Sequence, residues 1–235
     1  MPRRLRTDMP GPDWRVRPED LRGAGLAKLY PERLPRPLVL VVDVGFGRGE
    51  LLEALARSDP ERAYLGIEHS MKRVLKLTRR LAKTELENVR LVQARAEAAV
   101  AELARGSVAG FWINFPDPWP KKRHHRRRLL QPGFVRELAM RLAPGGFLEV
   151  ATDHEEYAEW IHAVLSDEEQ LMNRCAPLPF RRDPPERTPT AYELEWRAQG
   201  RAAHYFSYAR RLSNLVGEPG STRESDAWSG GPGGE

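Results

Sequence analysis

The chain has 235 residues, with 38 Lys and Arg against 33 Asp and Glu, for a formal net charge of +5. A charged fraction of 30% and an aromatic fraction of 8% exclude a fibrous or disordered chain, and the length suits one large domain with appendages. A single cysteine, Cys175, excludes an internal disulfide framework and a Cys-rich zinc site, and suits a reducing compartment.

Residues 1–37 hold seven prolines and no sustained apolar period, which predicts an extended, basic, Pro-rich arm ordered only near Leu26–Tyr30. Asp8, Pro10, Pro12 and Asp13 stand where a signal peptide needs an apolar core, and no apolar stretch is long enough to cross a bilayer. The expectation is a cytoplasmic protein without a membrane partner. Leu38–Val42 is a continuous β-branched and Leu run, as in a strand buried on both faces. A glycine turn and a helix near Glu50–Arg57 follow, then a strand at Ala63–Ile67. Ser70 can cap a helix reaching about Lys83, with Met71, Val74, Leu77 and Leu81 on one face. Val89–Val92 and Phe111–Phe115 read as strands, Phe134–Leu142 as a helix stopped by Pro144-Gly145-Gly146, Phe147–Ala151 as a strand and Glu155–Leu165 as a helix. This alternation predicts an α/β fold with a mostly parallel sheet over residues 38–216. Ala203–Tyr208 should add an antiparallel C-terminal strand, and the Gly-rich 217–235 should be a disordered tail.

Such a sheet binds ligands beyond the carboxyl ends of its strands. After the first strand comes Asp43-Val44-Gly45-Phe46-Gly47-Arg48-Gly49, a G-x-G-x-G turn that differs from the usual dinucleotide spacing. Asp43 can hold an ammonium group, and Glu68, at the end of the second strand, can accept from ribose hydroxyls. Together they fit S-adenosylmethionine; read alone, the glycines are also compatible with an ordinary strand-to-helix turn. At the third strand end Arg95 stands where an adenine-binding acid or amide is expected, which leaves the backbone of Ala96, or Glu97 turned inward, for that contact; an exposed acid at a helix start is the plainer reading of Glu97.

The fourth strand runs into Phe115-Pro116-Asp117-Pro118-Trp119-Pro120, whose prolines hold Asp117 and Trp119 in fixed directions. Lys121, Lys122, Arg123, Arg126, Arg127 and Arg128 then place six cations within eight positions; without them 32 basic residues face 33 acidic ones. The basicity thus reads as one local run facing an anionic partner. Trp119 stacking and phosphate pairing by Lys122, Arg123, His124, Arg126, Arg127 and Arg128 suit RNA. Core packing of Trp119 and a solvated cation cluster are the plainer readings. Adjacent His124 and His125 diverge and lack carboxylate partners in sequence, so no metal is expected.

Phe115–Leu129 is similar to the signature F-P-D-P-W-x-K-x-R-H-x-x-R-R of the tRNA (guanine-N7-)-methyltransferase family, and the likeness extends over about residues 38–211. The resemblance implies a Rossmann-like class I methyltransferase sheet, S-adenosylmethionine as cofactor and tRNA as partner, with methylation at N7 of guanosine 46 in the variable loop. It implies that Asp43 and Glu68 bind cofactor, that Asp117 is the catalytic or cofactor-adjacent acid, and that Lys121 and Asp153 contact substrate. The family's T-K-F-E motif corresponds to Thr190-Ala191-Tyr192-Glu193, without its lysine. Since N7 carries no proton, guanine selection falls to its N1–H and N2 amino donors, which Asp153 and Glu193 can accept. Helix capping by Asp153 and a surface ion pair for Glu193 are the alternatives at those positions. A nicotinamide-dependent oxidoreductase and a non-catalytic RNA-binding protein are the alternatives for the whole, and monomer and homodimer stay open.

Overall fold

The computed structural model describes residues 13–212. Its elements are β1 (Arg15–Val16), α1 (Gly25–Lys28), β2 (Leu40–Val44), α2 (Glu50–Ser58), β3 (Ala63–Glu68), α3 (Met71–Leu81), β4 (Val89–Gln93), α4 (Ala96–Glu102), β5 (Val108–Asn114), α5 (Pro132–Arg141), β6 (Leu142–Thr152), α6 (Glu155–Ser166), β7 (Leu171–Asn173), α7 (Ala191–Ala198) and β8 (His204–Arg210). They form one eight-stranded sheet in the order β1-β4-β3-β2-β5-β6-β8-β7. All pairings from β1 to β6 are parallel, and β8 runs antiparallel to both β6 and β7. The expected mostly parallel α/β sheet with an antiparallel C-terminal strand is therefore the fold observed.

Every residue of β2 and β3 is buried, because helices cover both faces and leave no polar side. The two faces can be read from strand alternation. Leu40, Val42 and Val44 join the larger apolar cluster with residues of α4, α5 and α6, whereas Val41 joins the smaller one with residues of α2 and α3. The chain reverses direction across the sheet at β2: β3 and β4 lie on one side, β5 and β6 on the other. A crevice opens at the carboxyl ends of such a switch point.

The N-terminal segment differs from the extended arm expected from the sequence. Val16 extends the sheet by pairing with Val92, and the Trp14 indole N–H donates to the Leu86 carbonyl at 2.8 Å. Leu21, Leu26, Tyr30 and Leu34 are buried in the main core. Proline breaks keep these apolar residues off any helical or strand period, so their burial comes from tertiary packing and not from local pattern. The proposed tail at 217–235 lies outside the described residues, as do residues 1–12. The short β1, β7 and α7 have no counterpart among the elements expected from the sequence.

Candidate active site

Asp43 is the penultimate residue of β2, and the turn that follows is closed by the Gly45 and Phe46 N–H groups, which donate to the Ile67 carbonyl at 2.7 and 3.3 Å. Gly45, Gly47 and Gly49 have φ of 74°, 59° and 78°, so each of the alternate glycines fills a left-handed position. Gly49 leads directly into α2 and abuts α3: a Cβ there would stand 2.4 Å from a Leu77 methyl.

Both predicted cofactor acids are buried, at 3% exposure for Asp43 and 2% for Glu68. Glu68 is held at several points. Gly47 N–H donates to Oε2 at 3.2 Å and Ser70 N–H to Oε1 at 2.9 Å, with the largely exposed Arg73 and His69 pairing beside them. Asp43 accepts no hydrogen bond from another described residue. Burial pushes its carboxyl up to about 7; the Arg187 charge opposes that rise, and the neighbouring Glu68 adds to it.

A cleft of about 330 Å³ lies above these strand ends, lined by Gly45, Glu68, Ala96, Asn114, Phe115, Asp117, Trp119 and Arg127, among others. Arg95 also borders it, but its side chain is 84% exposed and lies 3.9 Å from Glu97, itself at the rim. The third strand thus delivers no buried carboxylate to the cleft.

The loop after β5 is backbone-strained. Phe115 and Trp119 adopt φ of 50° and 44°, conformations that cost about 1–3 kcal/mol each for a side-chain-bearing residue. They bracket Asp117, which is exposed and borders the cleft. Trp119 is half-buried, with His124 edge-on at 5.8 Å and the Arg127 guanidinium over its ring at 5.0 Å. Neither full core packing nor isolation describes it.

The basic run folds as a 3-10 helix at Lys122–Arg127, where Lys122, Arg123, Arg126 and Arg127 are exposed; Lys121, just before it, is exposed too. Arg128 does not join this surface. Its side chain is 1% exposed, donates to the Pro118 carbonyl at 2.9 Å and to Glu156 at 3.2 Å, and lies over the rings of Tyr157 and Trp160. It fastens the Asp117 loop to α6 and is not presented to a phosphate.

The Thr190–Glu193 motif begins α7 as a reciprocal cap. Thr190 Oγ1 accepts from Glu193 N–H at 3.1 Å, while Thr190 N–H donates to Glu193 Oε2 at 3.3 Å. Glu193 is buried, and its Oε2 also accepts from Arg187 at 2.8 Å. Its Oε1 accepts from Tyr205 OH at 2.8 Å and from Arg197. Burial alone would raise the Glu193 carboxyl; the Arg187 charge and the Tyr205 and Arg187 hydrogen bonds outweigh it and hold the carboxyl below its ordinary value. Glu193 is therefore an internal anchor, and neither oxygen is left open for guanine.

Asp153 follows β6 and is half-buried; its neighbour His154 caps α6 instead. Tyr192 OH donates to Asp153 Oδ2 at 3.0 Å. The Tyr192 ring lies 5.1 Å from Phe115 and 5.5 Å from Trp196, yet remains 45% exposed. Burial, followed by the charge and hydrogen bond of Asp153, pushes the Tyr192 hydroxyl up to about 12, so it stays a donor. Asn114, which borders the cleft, and Arg187, whose charge acts on Asp43, are residues that the sequence does not single out. Arg187 donates to Asn114 Oδ1 at 2.9 Å and ties the chain before α7 to the end of β5. Nothing in the sequence separates this arginine from the others; only its burial does. Among the described residues, no group of three or more His, Cys, Asp or Glu is arranged to hold a metal, and no helix is long and apolar enough to cross a membrane.

Residues 37–206 match the family described as putative methyltransferases. The chain is 42% identical over 187 residues to a tRNA (guanine-N(7)-)-methyltransferase of Alkalilimnicola ehrlichii, covering 79% of this chain and 77% of that one. It is 41% identical over 184 residues to a protein of the same name from Halorhodospira halophila, covering 78% of each. Among solved structures, the 16S rRNA methyltransferase KamB superposes with a TM-score of 0.58 at 18% identity, covering 80% of this chain and 93% of that one, a likeness of fold.

Proposed function

The chain belongs to the tRNA (guanine-N(7)-)-methyltransferase family, and from that premise we propose that it transfers a methyl group from S-adenosylmethionine to N7 of guanosine 46 in tRNA. The observation that carries this reading is one cleft bordered both by the glycine turn with Glu68 and by the Asp117–Trp119 loop with Arg127. A methyl donor and an RNA base can thereby meet in a single cavity. The family resemblance favours neither the oxidoreductase nor the non-catalytic alternative. The reaction belongs where tRNA is processed, in the cytoplasm.

The residues present suit the cofactor. Asp43 is a buried carboxyl without a donor, as a site for an ammonium group requires. Glu68 is oriented by two backbone N–H groups, and its remaining partners are exposed side chains that ribose hydroxyls can replace. When bound, S-adenosylmethionine supplies an electrophilic sulfonium methyl. Gly45 and Ala96 border the cleft, Gly47 supplies the N–H that orients Glu68, and Gly49 closes the turn against α3.

The nucleophile is the N7 lone pair, which has no proton to lose, so no general base is needed. The protein's task is alignment and electrostatics. Asp117 cannot hydrogen-bond N7, because both are acceptors; its negative charge instead favours the cationic purine that forms and holds the ligands in place. Asp153 accepts the guanine N1–H and N2 amino hydrogens, with Tyr192 OH fixing one of its oxygens. Adenine lacks that donor pattern and leaves the carboxylate unsatisfied. Thr190 and Glu193 act one step back by holding α7, and thus Tyr192, against the sheet. Lys121, Lys122, Arg123, His124, Arg126 and Arg127 meet phosphate, and Trp119 stacks with a base. Purified protein with methyl-labelled S-adenosylmethionine and unmodified tRNA should yield labelled 7-methylguanosine, and Asp117→Asn should lose turnover while still binding S-adenosylhomocysteine. No label in 7-methylguanosine with the wild-type protein would leave the non-catalytic reading standing.

A further inference from the structure

The loop after β5 is not the chain's only cationic surface. Lys72, Arg73, Lys76, Arg79, Arg80 and Lys83 place six further cations on and just beyond α3, with no acid between Lys72 and Lys83. Without both groups, 26 basic residues face 33 acidic ones, so the charge is concentrated in two places. The buried side of α3 carries Val74, Leu75, Leu77, Thr78 and Leu81, which directs the charged residues outward. The acids that face this helix are already engaged: Glu68 with Arg73 and Glu53 with Arg80. Lys72, Lys76 and Lys83 are exposed and make no ion pair or hydrogen bond with another described residue. Lys72 and Lys76 lie one turn apart on the same side of α3, and Lys83 follows two residues beyond its end, in the turn that continues it.

Position gives this stripe its meaning. Arg73 borders the cleft on the α3 side and Arg127 borders it on the other, so the two cationic surfaces flank the opening. Resting on the reading that tRNA is the substrate, we propose that the Lys72–Lys76–Lys83 stripe is a second RNA-contact surface that follows the phosphate backbone of a helical arm beside the methylated loop. A paired arm is favoured over unpaired bases because residues 65–110 contain no Phe, Tyr or Trp to stack on. Phosphate contacts there set register on the RNA and bring no base preference.

The test replaces all three lysines with glutamine, and separately with arginine. On full-length tRNA the glutamine variant should bind at least about tenfold more weakly at low salt, and its log–log salt slope should shallow by about 0.9 for each paired-strand phosphate that the protein ceases to neutralise. The arginine variant should bind like wild type. Affinity for S-adenosylhomocysteine, and for a short unpaired oligonucleotide of the variable-loop sequence, should be unchanged in both. Equal tRNA affinity and slope in the glutamine variant overturn the proposal, and so does equal weakening on the short oligonucleotide, which would mean a local effect. If the wild-type protein itself neither binds nor methylates tRNA, it is the functional reading that fails.

Discussion

Replacing Asp43 by asparagine should move stability and cofactor affinity in opposite directions. Burial, opposed by Arg187 and assisted by Glu68, carries this carboxyl from 3.8 to about 7 in the folded protein. Between those values the folded chain keeps a proton that the unfolded chain releases, so stability falls as pH rises through the window and the full cost is present above about pH 7. Roughly three units at about 1.4 kcal/mol each set a ceiling of about 4 kcal/mol. Asp43→Asn removes that cost. At about pH 8 the variant should be more stable by about 2–4 kcal/mol, raising Tm by roughly 5–10 °C, and the gain should shrink by more than half at about pH 5. The proposed ammonium site is lost at the same time, so S-adenosylhomocysteine should bind roughly 10- to 100-fold more weakly by titration calorimetry. Wild-type affinity should rise as pH climbs toward about 7 and the carboxyl ionises, whereas the variant should lack that rise. A variant that is less stable at about pH 8 and binds the ligand normally would mean that Asp43 is neither a destabilising buried acid nor a cofactor ligand.

Other substitutions separate surface cations from anchors. Arg126→Gln with Arg127→Gln should weaken tRNA binding and lower the log–log salt slope by about 0.7 for each single-strand phosphate left unneutralised, with Tm unchanged. Arg128→Gln should instead lower Tm, costing about 1–3 kcal/mol in urea unfolding, because its guanidinium is enclosed by Pro118, Tyr157, Trp160 and Glu156. Tyr192→Phe keeps the ring but frees Asp153; turnover on tRNA should fall about three- to tenfold, and preference for guanosine over inosine at the target position should narrow. Unchanged discrimination would detach Tyr192 and Asp153 from base selection.

Much of the fold is legible in the sequence because it rests on local pattern. The Leu38–Val42 run, the alternate glycines and Glu68 one strand later are signals that a few residues carry by themselves. The site is harder to read where partners are distant in sequence. Arg128 looks identical to Arg127 in the run, and only Tyr157 and Trp160 of α6 decide that one is enclosed and the other exposed. Glu193 reads as a surface acid until Arg187 and Tyr205 close on it from either side in the sequence. The N-terminal residues pack onto a sheet edge that local propensity does not reveal. Even the charge, readable by counting, presents itself as one cluster, because the α3 cations are interspersed with the apolar residues that make the helix.

The most direct test of methyl transfer to guanosine 46 locates the transferred group. Unmodified tRNA is incubated with the protein and labelled S-adenosylmethionine, digested, and mapped by mass spectrometry, beside a transcript in which guanosine 46 is replaced by adenosine. The expected product is a single 7-methylguanosine at position 46, with none from the altered transcript. Methylation of another atom or another position, or equal labelling of both transcripts, would contradict that assignment.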